Sequence, residues 1–579
     1  MARLTHVTRA RVAKCGLACG ILILASSGYA QQPPRTSGDA LRDLKETPAV
    51  PPSSPLRIDI APEIRRAVKP ADGVKIGVKS FRFSGLSTIS EAELQPLVAS
   101  FIGPDKTFDD LQAAAEAVSE YLQRQGLFVA QAYLPEQNVG DGAIEIAVLE
   151  GRLAQLNVEI DANVPVARHI VEGLLSGLSP GIVMHRDTIE RALFLVSDLR
   201  GLNVRSIVEP GPQPGTSNLV VKITAGRRVD GLIEFDNHSS RFTGEHRLGA
   251  GINFNSPLGR GDLLSFRGVV GVPGGGADLD FGRVSYLTPV GNAGTKLGLA
   301  YLRVNFHLGT SLFDPLDQRG RSEVTSFFGL HPVIRTRNLN IFGQASFDFR
   351  QFQDDRRAVA IVSDRKTRVG SVGLVGDSRD AYVGGGINNF SLGYARGHLE
   401  LETAAEMSAD QSTLGRRAAG GFGRLNGSFA RLNSLGKNAA LFTSFSFQAA
   451  SKNLDSSEKF ALGGPNAVRA YAVGESSSDE GQLFTLEMRY GLPQFAWMPG
   501  NVVTSAFFDY GRGKLNEEPL PLEAANNSRT LRGVGVGLTW TRTDDFLVRA
   551  LLAWRLTDAP VSDPADRKPR LFFQLQKFL

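Results

Sequence analysis

The chain has 579 residues, of which 21% are charged, 42% are apolar and 63 are glycine. That is too long for one ordinary domain, and the balance is neither that of a disordered chain nor that of a helical membrane protein. The net charge is +5, but Arg3, Arg9, Arg11 and Lys14 sit in the first 30 residues with no acid among them; the remainder is close to neutral, which removes the electrostatic basis for nucleic-acid binding.

The first element is a leader. Met1–Lys14 is basic, Gly16–Ala25 is apolar around Ile21-Leu22-Ile23-Leu24, and Gly28-Tyr29-Ala30 supplies small residues before Gln31. This reads as a secretory signal peptide over residues 1–30. Cys15 and Cys19 are the only cysteines and both fall inside it, so disulfides, iron–sulfur clusters and thiol catalysis are excluded from the mature chain. No later stretch holds 18 consecutive apolar residues. If the mature protein crosses a membrane, it does so as a closed β-barrel, because an open sheet would leave backbone groups unpaired in lipid.

Residues 31–72 read as extended linker, with Pro33-Pro34, Pro48, Pro51-Pro52 and Pro55. Between the prolines, 38–47 forms a candidate short helix that could plug a pore. Residues 73–228 hold two copies of a strand–helix–helix–strand–strand pattern, divided at 151/152. In the first, Lys79–Phe83 alternates as a strand. Ser90 with Glu93, and Thr107 with Asp110, cap two helices, and Gly126 stops the second. Val129–Leu134 and Ala143–Leu149 are strands around Val139–Gly142. In the second copy Leu153–Ile160 is a strand, Pro165–Leu175 and Arg186–Leu199 are helices, and Val204–Val208 and Leu219–Ile223 are strands.

From 229 to 579 the period changes to two. Leu339, Ile341, Gly343, Ala345, Phe347 and Phe349 alternate with Asn340, Phe342, Gln344, Ser346, Asp348 and Arg350; Val534, Val536, Leu538 and Trp540 alternate with Gly533, Gly535, Gly537 and Thr539. A lipid-facing wall and a polar lumen require this of strands about 10 residues long. At roughly 22 residues per strand and connection the segment predicts about 16 antiparallel strands. An enzyme reading finds no H-E-x-x-H and no clustered His. Gly376-Asp377-Ser378 lacks a supporting His, and Gly533–Gly537 is strand alternation with no helix after it. Neither a cofactor nor a metal is expected.

These features resemble the Omp85 superfamily, closest to the transporters of two-partner secretion, the haemolysin/filamentous-haemagglutinin secretion proteins. Tyr133-Leu134-Pro135-Glu136-Gln137-Asn138 and Val148-Leu149-Glu150-Gly151-Arg152 resemble that family's first POTRA domain. Asp236-Asn237, Ser240-Arg241, Thr243-Gly244 and Arg247 resemble its first barrel strand, and Asp377-Ser378-Arg379-Asp380 a mid-barrel motif. Val468-Arg469-Ala470-Tyr471 resembles the tip of a long extracellular loop that folds back into the lumen, with Ala470 where the family usually has Gly. Phe507-Phe508-Asp509-Tyr510-Gly511 resembles the strand that meets it. The resemblance implies a lumen latch between Arg469 and Asp509. It implies an outer-membrane location with the POTRA domains in the periplasm, and a secreted adhesin or haemolysin as partner. Outer-membrane lipids and the barrel-assembly machinery are further expected partners; nucleic acid is not. A barrel-assembly factor and a general diffusion porin are the alternatives.

Overall fold

The computed structural model describes residues 35–44, 58–60, 75–272, 277–309, 314–494, 497–521, 524–557 and 567–579. The leader at 1–30 and the prolines of the linker lie outside the described residues. Of the linker, helix α1 (Ser37–Leu44) and strand β1 (Ile58–Ile60) are described. The helix ends before the expected 38–47 range is complete; residues 45–47 lie outside the described set.

The first module comprises β2 (Ile76–Val78), β3 (Ser80–Ser84), α2 (Glu91–Val98), β4 (Gly103–Lys106), α3 (Phe108–Arg124), β5 (Gln131–Tyr133) and β6 (Ala143–Leu149). Strand β6 lies between β3, parallel to it, and β5, antiparallel. The helices bury Leu94, Val98, Leu111, Val118 and Leu122 against Phe81, Ile144 and Ile146. At the start of α3 the Thr107 hydroxyl accepts from the Asp110 N–H while the Asp110 carboxylate accepts from the Thr107 N–H, a reciprocal cap. The strand expected over 129–134 shortens to Gln131–Tyr133, because a turn with Ala130 N–H donating to Leu127 O comes first. Strands β2 and β4 had no sequence signal.

The second module comprises β7 (Arg152–Ile160), α4 (Arg168–Leu175), α5 (Arg186–Ser197), β8 (Leu202–Pro210) and β9 (Thr216–Ala225). Helix α4 starts three residues later than expected, since Ala167 is extended and its N–H donates to Gly259 O in the next domain at 2.9 Å. The sheet order is β1-β8-β9-β7. The linker strand β1 therefore adds itself, in parallel, to what would otherwise be the open edge of β8.

The barrel follows. Its strands are β10 (Val229–Asp236), β11 (Arg247–Asn255), β12 (Leu263–Gly271), β13 (Asp278–Val290), β14 (Thr295–His307), β15 (Gln318–Arg335), β16 (Leu339–Arg356), β17 (Ile361–Asp380) and β18 (Gly386–Leu401). After a short helix α6 (Ala404–Gln411) come β19 (Gly420–Ser434), β20 (Ala439–Ala450), β21 (Glu480–Gly491), β22 (Asn501–Lys514), β23 (Ser528–Arg542), β24 (Phe546–Arg555) and β25 (Arg570–Phe578). Each pairs with its neighbours and β25 returns to β10, so sixteen strands form a closed barrel. Closure leaves no edge in contact with lipid. The period-two pattern resolves as expected: Phe347, Phe349, Val536, Leu538 and Trp554 are exposed on the outer wall, and Phe342, Arg350 and Asp354 are buried in the lumen.

The second module is locked to the barrel. The buried Arg335 guanidinium, at the module end of β15, donates to Asp198 at 2.6 and 3.1 Å and to Asn340 at 2.8 Å. It lies over the rings of Phe194 and Phe342. Lys296 Nζ donates to Asp198 O at 2.7 Å, and Ser256 Oγ to Arg200 O at 2.7 Å.

Candidate functional site: a lumen closed by a loop and a helix

The connection between β20 and β21 leaves the barrel on the side away from the modules and turns back inside. Its tip carries Val468, Arg469, Ala470 and Tyr471, all buried. Arg469 makes a two-pronged contact with Asp509 of β22: Nε to Oδ2 and Nη2 to Oδ1, each at 2.8 Å. Its backbone N–H donates to the same carboxylate at 3.1 Å. A planar guanidinium matched to a planar carboxylate gives both strength and a fixed direction. Nη1 reaches a second acid, Glu487 of β21, at 2.5 Å, and Glu487 in turn accepts from Arg489 at 2.8 Å. The Phe507 ring lies under the guanidinium, 3.4 Å from centroid to Cζ. Thr485 donates to Asp509 at 3.0 Å.

Apolar packing surrounds this polar centre. Val468, Ala470 and Tyr471 join Leu462, Phe507, Leu531, Leu551, Ala553 and Phe572 in one cluster. The Tyr471 hydroxyl meets Thr557 Oγ1 at 2.7 Å. Gly511 lies beside Val468, and Gly533 lies beside Ala470: a Cβ at 533 would fall 2.7 Å from the Ala470 Cβ. The bare backbone at Gly533 is what admits the extra methyl at 470.

The root of the loop is anchored separately. Asp455 pairs with Arg365, and Glu458 with Arg350 and, at 3.3 Å, with Arg424. Helix α1 fills the space between this root and the wall. Ser37 donates from its N–H and hydroxyl to Asp354 at 2.8 and 2.9 Å, and accepts at its carbonyl from Ser322 at 2.7 Å. Asp354 is held by Arg365 at 2.7 Å, so one arginine serves both helix and loop. The Thr36 and Ser456 hydroxyls meet at 2.6 Å, and Arg35 donates to Val473 O. Ala40 and Leu41 pack against Val304, Phe306, Val324 and Phe352.

In the first module Glu150 is buried beside the start of the Ser87–Thr88 turn. It accepts from the N–H and hydroxyl of Ser87, and from the N–H and hydroxyl of Thr88 at 2.7 Å each. Burial alone would push its carboxyl up, but these donors together outweigh it and hold the group below its ordinary value. Stability from this site is therefore fully present above the ordinary Glu range and is lost as pH falls through the lowered folded value. Glu150→Ala leaves buried donors unmet at a cost of about 3 kcal/mol, so amide exchange at Ser87 and Thr88 is expected to accelerate by about 100-fold. Unchanged protection there would remove Glu150 from this role. Gly151 follows with φ +81 and no room for a side chain beside Val129. Gln137 acts as a strand substitute, donating to Glu145 O at 2.8 Å and accepting from Glu145 N–H at 2.6 Å. Pro135 is half-buried next to it, and Glu136 is exposed.

At the barrel seam Asp236 accepts from Arg247 at 2.9 and 3.1 Å. Asn237 extends the β10–β25 ladder with its side chain, donating to Leu571 O at 2.9 Å and accepting from Phe573 N–H at 2.8 Å. Arg241 stacks on Phe242, Thr243 closes a turn with its N–H on Ser240 O, and Gly244 has φ +93. Asp377 and Ser378 accept from Asn340 and Asn388, each at 3.1 Å, in the end of β17.

The sequence reading missed Glu487 and Arg489. The alternation Thr485, Glu487, Arg489 against Leu486, Met488, Tyr490 carried the signal that they face inward. It also missed Arg365, Asp354 and Arg350, which only barrel closure brings to α1 and the loop.

The chain matches the haemolysin secretion/activation protein family ShlB/FhaC/HecB over residues 215–540, and the ShlB-type POTRA domain over residues 76–151. It is 27% identical over 463 residues to the heme/hemopexin transporter protein HuxB of Haemophilus influenzae strain 86-028NP, covering 80% of each chain. It is 26% identical over 449 residues to the outer membrane transporter CdiB of Escherichia coli O6:K15:H31, covering 76% of this chain and 73% of that one. Among solved structures, CdiB from Escherichia coli superimposes with TM-score 0.68 at 20% identity over 89% of this chain and 93% of that one. BamA from Haemophilus ducreyi, lacking POTRA domains 1–3, superimposes at 0.50 and 13% identity over 87% of this chain and 100% of that one, a likeness of fold alone. The chain belongs to the haemolysin secretion/activation family ShlB/FhaC/HecB: it is a two-partner secretion transporter of the outer membrane, with its POTRA domains in the periplasm.

Proposed function

We propose that the two POTRA modules receive an unfolded exoprotein, an adhesin or haemolysin, and pass it into the barrel, from which α1 and the inward loop withdraw. The observation that carries this reading is the strand β1 seated on β8. A three-residue strand is weakly held, and an extended substrate can take its place with the same backbone hydrogen bonds, which are tolerant of sequence. The outer wall meets lipid, and insertion of the barrel falls to the barrel-assembly machinery. With no nucleotide-binding motif in the sequence, folding of the exoprotein outside the cell supplies the driving force.

A photo-crosslinking residue at Glu209, exposed on β8, is expected to trap the exoprotein during export and the linker in its absence. Deleting residues 73–151 is expected to abolish export while the barrel keeps its heat-modifiable gel migration. Active export with no adduct at 209, or normal export by the deletion variant, would remove the modules from this role.

A further inference from the structure

On the outer wall the apolar face of β17 and β18 ends sharply. Leu374 and Val372 on β17 are 48% and 61% exposed, and Leu392 and Tyr394 on β18 are 51% and 48% exposed. The next outward positions toward the cell surface are Gly370, Arg368 and Lys366 on β17, and Arg396 and His398 on β18. The register sets Arg368 opposite His398 and Gly370 opposite Arg396. On the other side, Gly421 and Gly423 of β19 stand opposite His398 and Arg396. Two arginines and a histidine thus converge over Gly370 and Gly421, while the Tyr394 hydroxyl covers Gly423, 2.9 Å from where a Cβ there would lie. A Cβ at Gly370 would come no nearer than 3.7 Å to any atom, and one at Gly421 no nearer than 4.0 Å. Packing within the protein does not require glycine at either position.

The charges of this bay are incompletely answered. Arg368 lies 3.5 Å from Glu400, and Lys366 3.0 Å from Glu402, both acids lying toward the cell surface. Arg396, directly above the apolar Tyr394, makes no ion pair or hydrogen bond among the described residues. An unpaired guanidinium at the upper border of a lipid-facing belt is costly against hydrocarbon and favourable against a phosphate, which it can hold with two parallel N–H donors. The border lies on the side away from the POTRA modules, so the leaflet it meets is the outer one.

We propose that Arg368, Arg396 and His398 bind the phosphates of an outer-leaflet glycolipid of the lipid A type. Its sugar head rests on Gly370 and Gly421, and its acyl chains lie along Val372, Leu374, Leu392 and Tyr394. Full-length protein, purified in detergent and stripped of lipid, is titrated with bis-phosphorylated lipid A and with phosphatidylglycerol, and binding is read by native mass spectrometry. Lipid A is expected to bind the more tightly. Arg368→Gln with Arg396→Gln is expected to weaken it about 30-fold, and Arg396→Gln alone about fivefold, at about one phosphate attraction per charge. Arg319→Gln, on the outer face of β15 away from the bay, is expected to bind like wild type. Heat-modifiable migration checks that each barrel is folded; should the double variant fail that check, Arg396→Gln alone carries the test. Lipid A binding unchanged by either Arg396 variant overturns the site, and phosphatidylglycerol binding as tightly as lipid A overturns the glycolipid assignment.

Discussion

Arg469→Ala is expected to damage the transporter more than Asp509→Ala does, and more than the two substitutions combined. Arg469 is shared by two acids, Asp509 and Glu487. Removing the side chain leaves the buried Asp509 with only the Thr485 hydroxyl and the backbone N–H of residue 469 as donors, and no cation, close to a second carboxylate. An uncompensated buried charge costs about 3–5 kcal/mol, enough to turn the loop tip out of its cluster. Asp509→Ala, by contrast, leaves the guanidinium on Glu487 and over Phe507. In the double variant Glu487 still has Arg489, so no charge is stranded. The exchange Arg469→Asp with Asp509→Arg is expected to rescue poorly, because it sets a carboxylate at 469 opposite Glu487, where the guanidinium had been. Planar-bilayer conductance and exoprotein release would be measured for all four proteins. The root of the loop, held by Arg365 and Arg350, keeps its place in each, so the expected change is in the tip: unstable, larger conductance and impaired release for Arg469→Ala. Wild-type conductance and release by Arg469→Ala would mean that Tyr471 and its apolar neighbours hold the tip unaided.

The period-two pattern was readable because a barrel strand has one lipid face and one lumen face, so each residue reports its side independently of what it touches. The helix caps Ser90/Glu93 and Thr107/Asp110 were readable because their partners are three residues apart. Strand β1 was not, since Ile58-Asp59-Ile60 is too short to show a period and its partner lies some 150 residues away. A still greater separation along the chain hid the seat of α1. Ser37 and Asp354 are joined by 317 positions of intervening chain, and nothing local to either marks the other. The Arg469–Asp509 contact came from matching two motifs to a family. Its third member, Glu487, needed only the inward parity of β21, which the exposed Leu486, Met488 and Tyr490 now fix on the outer wall.

Tying α1 to the loop is expected to stop export outright. The Thr36 and Ser456 hydroxyls are 2.6 Å apart, so the sulfurs of Thr36→Cys and Ser456→Cys would lie within bonding reach. Cys15 and Cys19 are the only native cysteines and both fall in the expected leader, so the engineered pair has no competitor in the mature chain. The geometry makes the lock decisive. The loop is covalently fixed to β20 and β21 at the cell-surface end, whereas α1 is joined through the linker to modules at the periplasmic end. A helix bonded to that loop cannot leave toward the periplasm, and the loop cannot leave toward the surface without dragging the helix. With α1 and the loop root bonded together against the wall at β14–β17, neither can clear the lumen for a passing polypeptide. Exoprotein release is expected to fall to background in the oxidised double-cysteine protein, to recover on adding a reductant to intact cells, and to be normal in each single-cysteine variant. Secretion by the oxidised protein at the reduced rate would show that the chain crosses with α1 in place, and the helix would then be a fixed part of the pore wall.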